Sequence, residues 1–215
     1  MRAIDFYAGI GGWSLGLRLA GIEVVNSYEW WQPAIDTHNG NHGTELSPVN
    51  IRDLTLDELP KDIDVVVGSP PCTQFSYSNR GGSGDIDDGL IDLVRFFEAV
   101  QFLKPRFWAM ENVPRVAKVI EEGFSNPEHP LYRFRDLTPN IAVMDFSKFG
   151  CAQARRRCIA TNLDMAEINA FSAKSTSSNL GEVVNALNDS SRIIDPVWGV
   201  ELAAEQLTEM EKEEF

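Results

Sequence analysis

Near its start the chain reads Ala3-Ile4-Asp5-Phe6-Tyr7-Ala8-Gly9-Ile10-Gly11-Gly12, an apolar run that breaks into glycines. Ala3 to Phe6 reads as a strand, Ala8 to Gly12 as a glycine turn, and Trp13 to Ala20 as a helix. Glycines at such a junction let the backbone approach a ligand closely, and a helix N-terminus favours a negatively charged group. Glu23 to Tyr28 reads as a second strand, ending in Glu29, 17 positions after Gly12. That is roughly the spacing at which a carboxylate reaches ribose hydroxyls in nucleotide-binding folds. Trp30 beside it offers a flat face for adenine. A nicotinamide cofactor could use similar geometry, and so, more plainly, could a tight turn with a surface Glu, so these residues alone do not choose.

Working outward, a helix is expected from about Gln32 to His38 and a fully buried strand over Asp64 to Gly68, with its three valines. Gln74 to Gly89 is polar and glycine-rich and reads as a mobile loop. Leu93, Phe96, Phe97 and Val100 recur at helical spacing within Leu90 to Leu103. Pro105 stops that helix, and Phe107 to Met110 supplies another strand. Beyond Asp145 the pattern is less regular, with a strand expected over Cys158 to Thr161. Short apolar strands alternating with helices define an α/β fold with a doubly wound, mainly parallel sheet. Ser172 to Asn179 reads as a polar linker, followed by a short helix near Val183 to Leu187 and an acidic helix from Glu201.

Composition narrows the function. The 215 residues are 43% hydrophobic, enough to bury a core and too apolar for a solvated coil. No apolar run approaches the ~20 residues of a membrane span, and nothing at the N-terminus reads as a signal peptide, so the chain is expected in the cytoplasm. Nineteen basic against 32 acidic residues give a net charge of −13. A nucleic-acid binder usually carries the opposite sign, because phosphates require Lys and Arg. Part of the excess is crowded into Glu201, Glu205, Glu209, Glu211, Glu213 and Glu214. Cys72, Cys151 and Cys158 form no CxxC pair, and His38, His42 and His129 show no metal-ligand spacing, so neither a disulfide framework nor a metal site is expected.

Three further constellations carry chemistry. Ser69-Pro70-Pro71-Cys72 follows the buried strand and sets a thiol at the carboxyl edge of the sheet, where open α/β sheets bind ligands. Two prolines fix φ ahead of the cysteine, and some thiolate exists at neutral pH. Glu111-Asn112-Val113 ends the strand after Pro105 and brings a carboxyl to the same edge. Partial burial there would favour the neutral, proton-donating form of a carboxyl. Gln153-Ala154-Arg155-Arg156-Arg157 precedes the late strand, and alternation sends Arg155 and Arg157 to one face and Arg156 to the other. Taken singly, each has a plain structural reading: a rigid turn with a packed thiol, a helix-capping Glu, a solvated basic turn.

Taken in order, these motifs resemble the cytosine-C5 DNA methyltransferases. Asp5-Phe6-Tyr7-Ala8-Gly9-x-Gly11-Gly12 is similar to that family's cofactor motif, with Tyr7 where Phe is common. Glu29-Trp30 resembles the pair that holds the ribose and adenine of S-adenosylmethionine, and Asp53-Leu54 the pair near the adenine amino group. Pro70-Pro71-Cys72 matches the nucleophile motif, Glu111-Asn112-Val113 the acid motif, and Gln153-x-Arg155-x-Arg157 the late arginine motif.

The resemblance implies a Rossmann-like, S-adenosylmethionine-dependent fold over residues 1–165, with 166–215 as a C-terminal extension and junction with a partner. It implies Cys72, Glu111, Arg155 and Arg157 as catalytic groups, and cofactor contacts from Asp5, Phe6, Tyr7, Ala8, Gly9, Gly11, Gly12, Glu29, Trp30, Asp53, Leu54 and Pro70. The substrate it implies is DNA, with the cytosine flipped out of the helix and the Gln74 to Gly89 loop as a lid over it. Two departures are local: Thr73 stands where Gln usually follows the nucleophile, and Asp87-Asp88-Gly89 lacks the Arg often found before the glycine. The third is larger, because a target-recognition region and two last motifs do not follow Leu163. Some family members are divided into two polypeptides, and this chain resembles the first, as in a restriction-modification system. The alternatives are a truncated, inactive S-adenosylmethionine-binding protein and an RNA cytosine-C5 methyltransferase.

Overall fold

The computed structural model describes residues 1–71 and 86–172, together with Asn179, Gly181 and two short strands, Ile193–Ile194 and Glu201–Leu202. Cys72, most of the glycine-rich loop, the Val183 to Leu187 helix and nearly all the acidic tail lie outside the described residues.

The strands are β1 (Arg2–Phe6), β2 (Glu23–Tyr28), β3 (Val65–Gly68), β4 (Phe107–Asn112), β5 (Asn140–Asp145) and β6 (Arg156–Thr161). They form one sheet in the order β2-β1-β3-β4-β6-β5. The pairs β1–β2, β1–β3 and β3–β4 are parallel, whereas β6 runs antiparallel to both β4 and β5. The helices are α1 (Gly12–Leu19), α2 (Gln32–His42), α3 (Ile86–Leu103), α4 (Val116–Ser125) and α5 (Met165–Ser172).

Alternation along β3 explains why the sheet is covered on both faces. Val66 enters a large core with Phe6, Phe96, Phe97, Trp108 and Phe134, beneath α3 and α4. Val65 and Val67 point the other way, to Leu17 and Trp13 of α1. Aromatic edges tighten the larger core, with Phe97 meeting Trp108 at 5.8 Å and Phe124 at 5.2 Å between centroids.

Several boundaries differ from the sequence reading. The second helix runs on from His38 to His42, where Gly43, at φ 61°, closes it by donating its N–H to the Asn39 carbonyl at 2.8 Å. The helix expected from Leu90 begins at Ile86, so Asp88 and Gly89 belong to it and not to the loop. The late strand begins at Arg156, so two of the three arginines lie within it. The acidic helix expected from Glu201 is corrected at its first residues, because Glu201–Leu202 is extended and pairs antiparallel with the β-branched Ile193–Ile194.

The chain leaves β1 toward β2 on one side, while β3 lies on the other. Their carboxyl ends therefore part at a switch point, where such sheets bind ligands. The two ends are stitched by the Ser69 N–H donating to the Phe6 carbonyl at 3.1 Å. Gly68 is required there, because a Cβ would lie 2.8 Å from the Phe96 ring and 2.9 Å from the Phe6 carbonyl oxygen. Gly68→Ala should therefore destabilise the chain by about 1–3 kcal/mol. A denaturation midpoint equal to that of the unsubstituted chain would contradict this packing.

Candidate functional site

The glycine loop is held from below and from the side. Below it, Asp5 is fully buried, and its Oδ2 accepts from the Ser14 N–H at 3.0 Å and the Ser14 hydroxyl at 2.7 Å. It thereby satisfies the open N-terminus of α1. Burial pushes the Asp5 carboxyl up to about 7 against these two hydrogen bonds, and the nearby Glu29 charge pushes it the same way. Phe6 is also buried, stacked on Tyr28 with centroids 5.1 Å apart. Both residues thus shape the loop from beneath rather than lining its open side. Gly11 takes φ 94° and packs on α2, where a Cβ would lie 2.1 Å from His42 Nε2.

From the side, Glu29 holds the loop. Its Oε2 accepts from the Gly9 N–H at 2.9 Å, and its Oε1 from the Trp30 and Trp31 N–H groups at 2.9 Å each. A carboxylate oxygen with one donor keeps a second lone pair, so Oε2 can still accept from a ligand hydroxyl.

Three recesses run along the sheet edge and share walls. The first, of about 350 Å³, is lined by Tyr7, Trp30, Asn50, Ile51, Arg52, Pro71 and the start of α3. The second, of about 360 Å³, lies against Tyr7, Ala8, Gly9, Gly12, Glu29 and Trp30, and reaches Glu111 and Arg155. The third, of about 560 Å³, continues past Trp13, Ser69, Glu111 and Arg155 to Phe146 and Cys151. One trough therefore joins the Trp30 end to the Glu111 end. Asp53 and Leu54 are not among its lining residues; Asp53 Oδ2 accepts from Asn50 Nδ2 at 2.6 Å on the rim. Pro70 is buried, and Pro71 faces the trough.

At the far end, Glu111 Oε1 lies 2.9 Å from Arg157 Nε and 3.9 Å from an Arg155 guanidinium nitrogen. The antiparallel pairing makes this possible. β6 begins where β4 ends, with Glu111 opposite Ile159 and Arg157 two residues away on the same face. Arg156 points elsewhere, as alternation requires.

Sequence reasoning missed three residues here. Asn112 is buried and donates from Nδ2 to the Pro70 carbonyl at 3.0 Å, anchoring the turn that leads to Cys72. Trp13 donates from its indole N–H to the Ser69 hydroxyl at 3.0 Å, closing the trough floor between α1 and β3. Asp92 accepts from the Tyr7 hydroxyl at 3.2 Å. The one available signal was that buried Asn and Trp side chains need polar partners. Of the remaining thiols, Cys158 is buried and pushed up to about 12, while Cys151 is exposed. Among the described residues no helix is long and apolar enough to cross a membrane, and no cluster of His, Cys, Asp or Glu could hold a metal ion.

A mostly parallel sheet with a trough at its switch point, a glycine loop on one side and a carboxyl–guanidinium pair on the other is the setting in which open α/β sheets bind ligands. The profile of the C-5 cytosine-specific DNA methylase family matches residues 1–212, and the chain belongs to that family. It is 31% identical over 164 residues to the type II methyltransferase M.HindV of Haemophilus influenzae, covering 73% of this chain and 51% of that protein. It is 34% identical over 162 residues to M.FnuDI of Fusobacterium nucleatum, covering 73% and 45%. M.HgiGI of Herpetosiphon aurantiacus is 36% identical over 127 residues, covering 54% of this chain and 92% of that protein. The chain thus spans about half the length of the first two relatives.

Among solved structures, a protein encoded within an E. coli prophage and described as a DNA modification methyltransferase superposes with a TM-score of 0.58 at 26% identity, covering 78% of this chain and 48% of its own. The S. pombe Dnmt2 methyltransferase superposes at 0.56 and 20% identity, covering 80% and 54%, a likeness of fold. The fold is that of the Rossmann-like, S-adenosylmethionine-dependent methyltransferases.

The buried Asp5 gives a prediction with a definite sign. A folded-state value near 7 against 3.8 means the folded chain keeps a proton that the unfolded chain releases. Stability should therefore fall as pH rises from about 4 to about 7. Asp5→Asn, which keeps an acceptor for Ser14 without the charge, should flatten that slope. Denaturation midpoints at pH 5 and pH 8 check this, and an unchanged slope would exclude Asp5 as its source.

Proposed function

We propose that this chain is the catalytic part of an enzyme that methylates C5 of cytosine in DNA, using S-adenosylmethionine. The observation that carries the reading is the single trough with Glu29 and Trp30 at one end and the Glu111–Arg157 pair at the other. Pro71, next to Cys72 in sequence, lines the same wall. The residues fit the cofactor: Trp30 is 62% exposed and offers an aromatic face, and Glu29 Oε2 retains a lone pair for a ribose hydroxyl. Bound there, S-adenosylmethionine supplies an electrophilic methyl group.

The chain's own residues prepare the acceptor. Cytosine C5 is a poor nucleophile, and addition of the Cys72 thiolate to C6 makes it enamine-like. The adding sulfur pushes charge into the ring toward N3, where Glu111 donates a hydrogen bond or a proton. Arg157 holds Glu111 and presents its remaining donors to the base carbonyl O2, while Arg155 flanks them on the open side. Loss of the C5 proton and elimination of Cys72 then free the product. A stacked base cannot reach this recess, so the cytosine is flipped out.

The target-recognition part belongs, in this proposal, to a second polypeptide. The net charge of −13 supports this, because it leaves phosphate contacts to a basic partner. Exposed Leu15 and Leu19 on α1 give such a partner an apolar strip to cover. The arrangement belongs to the restriction-modification class, acting in the cytoplasm.

The experiment is a covalent trap. The chain, co-expressed with the product of its neighbouring reading frame, is incubated with S-adenosylmethionine and duplex DNA containing 5-fluorocytosine. A denaturation-resistant adduct should form, vanish in Cys72→Ser, and fall by at least about 100-fold in rate in Glu111→Gln. Cofactor binding without any adduct would instead make the chain an inactive binder. Full methylation by the isolated chain would refute the two-polypeptide arrangement.

A further inference from the structure

Two departures from the family pattern, Tyr7 in place of Phe and Asp88 in place of Arg, meet at one point. Asp92 on α3 is 4% exposed, and its Oδ1 accepts from the Tyr7 hydroxyl at 3.2 Å and from Arg52 Nε at 3.0 Å. Its Oδ2 accepts from Arg52 Nη2 at 2.7 Å, so the guanidinium grips it with two arms. The third arm of Arg52 reaches Asp88 Oδ1 at 2.7 Å, and Nη2 also meets the Asp88 carbonyl at 3.1 Å. Helix α3 grips back, with Arg95 donating to the carbonyls of Ile51, at 3.2 Å, and Leu54.

Three segments distant in sequence converge here: the glycine loop through Tyr7, the 3-10 turn Ile51–Asp53 through Arg52, and the first turns of α3. Tyr7 sits at φ 55°, a left-handed conformation that costs a residue with a Cβ and needs tertiary contacts to hold it. Its buried hydroxyl has two acceptors within reach, the Asp92 carboxylate and the Asp92 backbone carbonyl, at 3.2 Å each. Asp92 in turn would be a buried carboxylate with only neutral donors without Arg52. Tyr7, Arg52, Asp88 and Asp92 also wall the recess beside Trp30.

We propose that Tyr7, Asp92 and Arg52 form a positioning hub that sets the width of the nucleotide end of the trough, with Arg52 as its keystone. The hub deepens the cofactor reading given above. It acts through Trp30 and the Ile51–Asp53 turn, fixing the distance between glycine loop and facing wall. It also makes the two family departures one linked change, since the hydroxyl added at Tyr7 and the carboxylate at Asp88 are partners of the same network.

The test uses the full chain and two readouts: the dissociation constant for S-adenosylhomocysteine by calorimetry, and amide hydrogen exchange over residues 51–54. Arg52→Ala should weaken binding by about tenfold and Tyr7→Phe by about threefold, and the double variant should fall well short of the product of the two. Arg52→Lys, which keeps the charge without the fork, should retain most of the loss. Exchange at 51–54 should quicken in Arg52→Ala while β1 and β3 stay protected. Affinities within twofold of the unsubstituted chain, factors that simply multiply, or unchanged exchange would overturn the hub. Should the unsubstituted chain bind no S-adenosylhomocysteine, the cofactor reading fails, and the exchange data alone decide: faster exchange upholds the hub, unchanged exchange removes it.

Discussion

The site depends on an antiparallel return. Parallel strands β1, β3 and β4 all deliver their carboxyl ends to one edge of the sheet, and such ends can supply a glycine loop, a proline turn and a carboxyl. A guanidinium that must meet that carboxyl has to come from a strand that begins at the same edge. β6, running antiparallel to β4, does so, and Arg157 arrives 2.9 Å from Glu111 across 46 residues of chain. Were β6 parallel, its arginines would lie at the opposite rim, about 17–20 Å away for strands of this length.

Around that pair, the backbone is pinned wherever a loop leaves the sheet. Glu29 accepts three amides and ties the glycine loop to the end of β2. Asn112 ties the Pro70 carbonyl to the end of β4, and Trp13 ties Ser69 to α1. These bonds act on backbone or on neighbouring side chains rather than on a ligand. They hold the surfaces before anything binds, which is how a site avoids the entropy of ordering its own loops.

The fold was legible where hydrophobic period is strong. The valine run of β3 and the spaced Leu93, Phe96, Phe97 and Val100 of α3 are each unambiguous, because a buried strand and an amphipathic helix leave different periods. The region from Asn112 to Arg155 was not legible. It mixes α4, the 3-10 helix Pro130–Leu137 and an edge strand, β5, whose partner is known only once β6 is placed. Chain order put Glu111 and the arginines in the candidate site, but their contact depends on a register that no local pattern encodes. Asp92 escaped notice for a related reason: an Asp near a helix start reads as a solvated residue, and only the folded chain shows it buried under Tyr7 and Arg52. Asp5 and Pro70 were selected by motif, yet both lie under the surface, while Ser69, Trp13 and Pro71 face the trough.

The account stands or falls on one trough serving both a nucleotide and a base. A crystal structure of the chain with S-adenosylhomocysteine tests it most directly. The account predicts adenine against Trp30, ribose hydroxyls on Glu29, and the thioether sulfur directed toward Glu111. A ligand seated elsewhere, or one whose sulfur points away from Glu111, would contradict it.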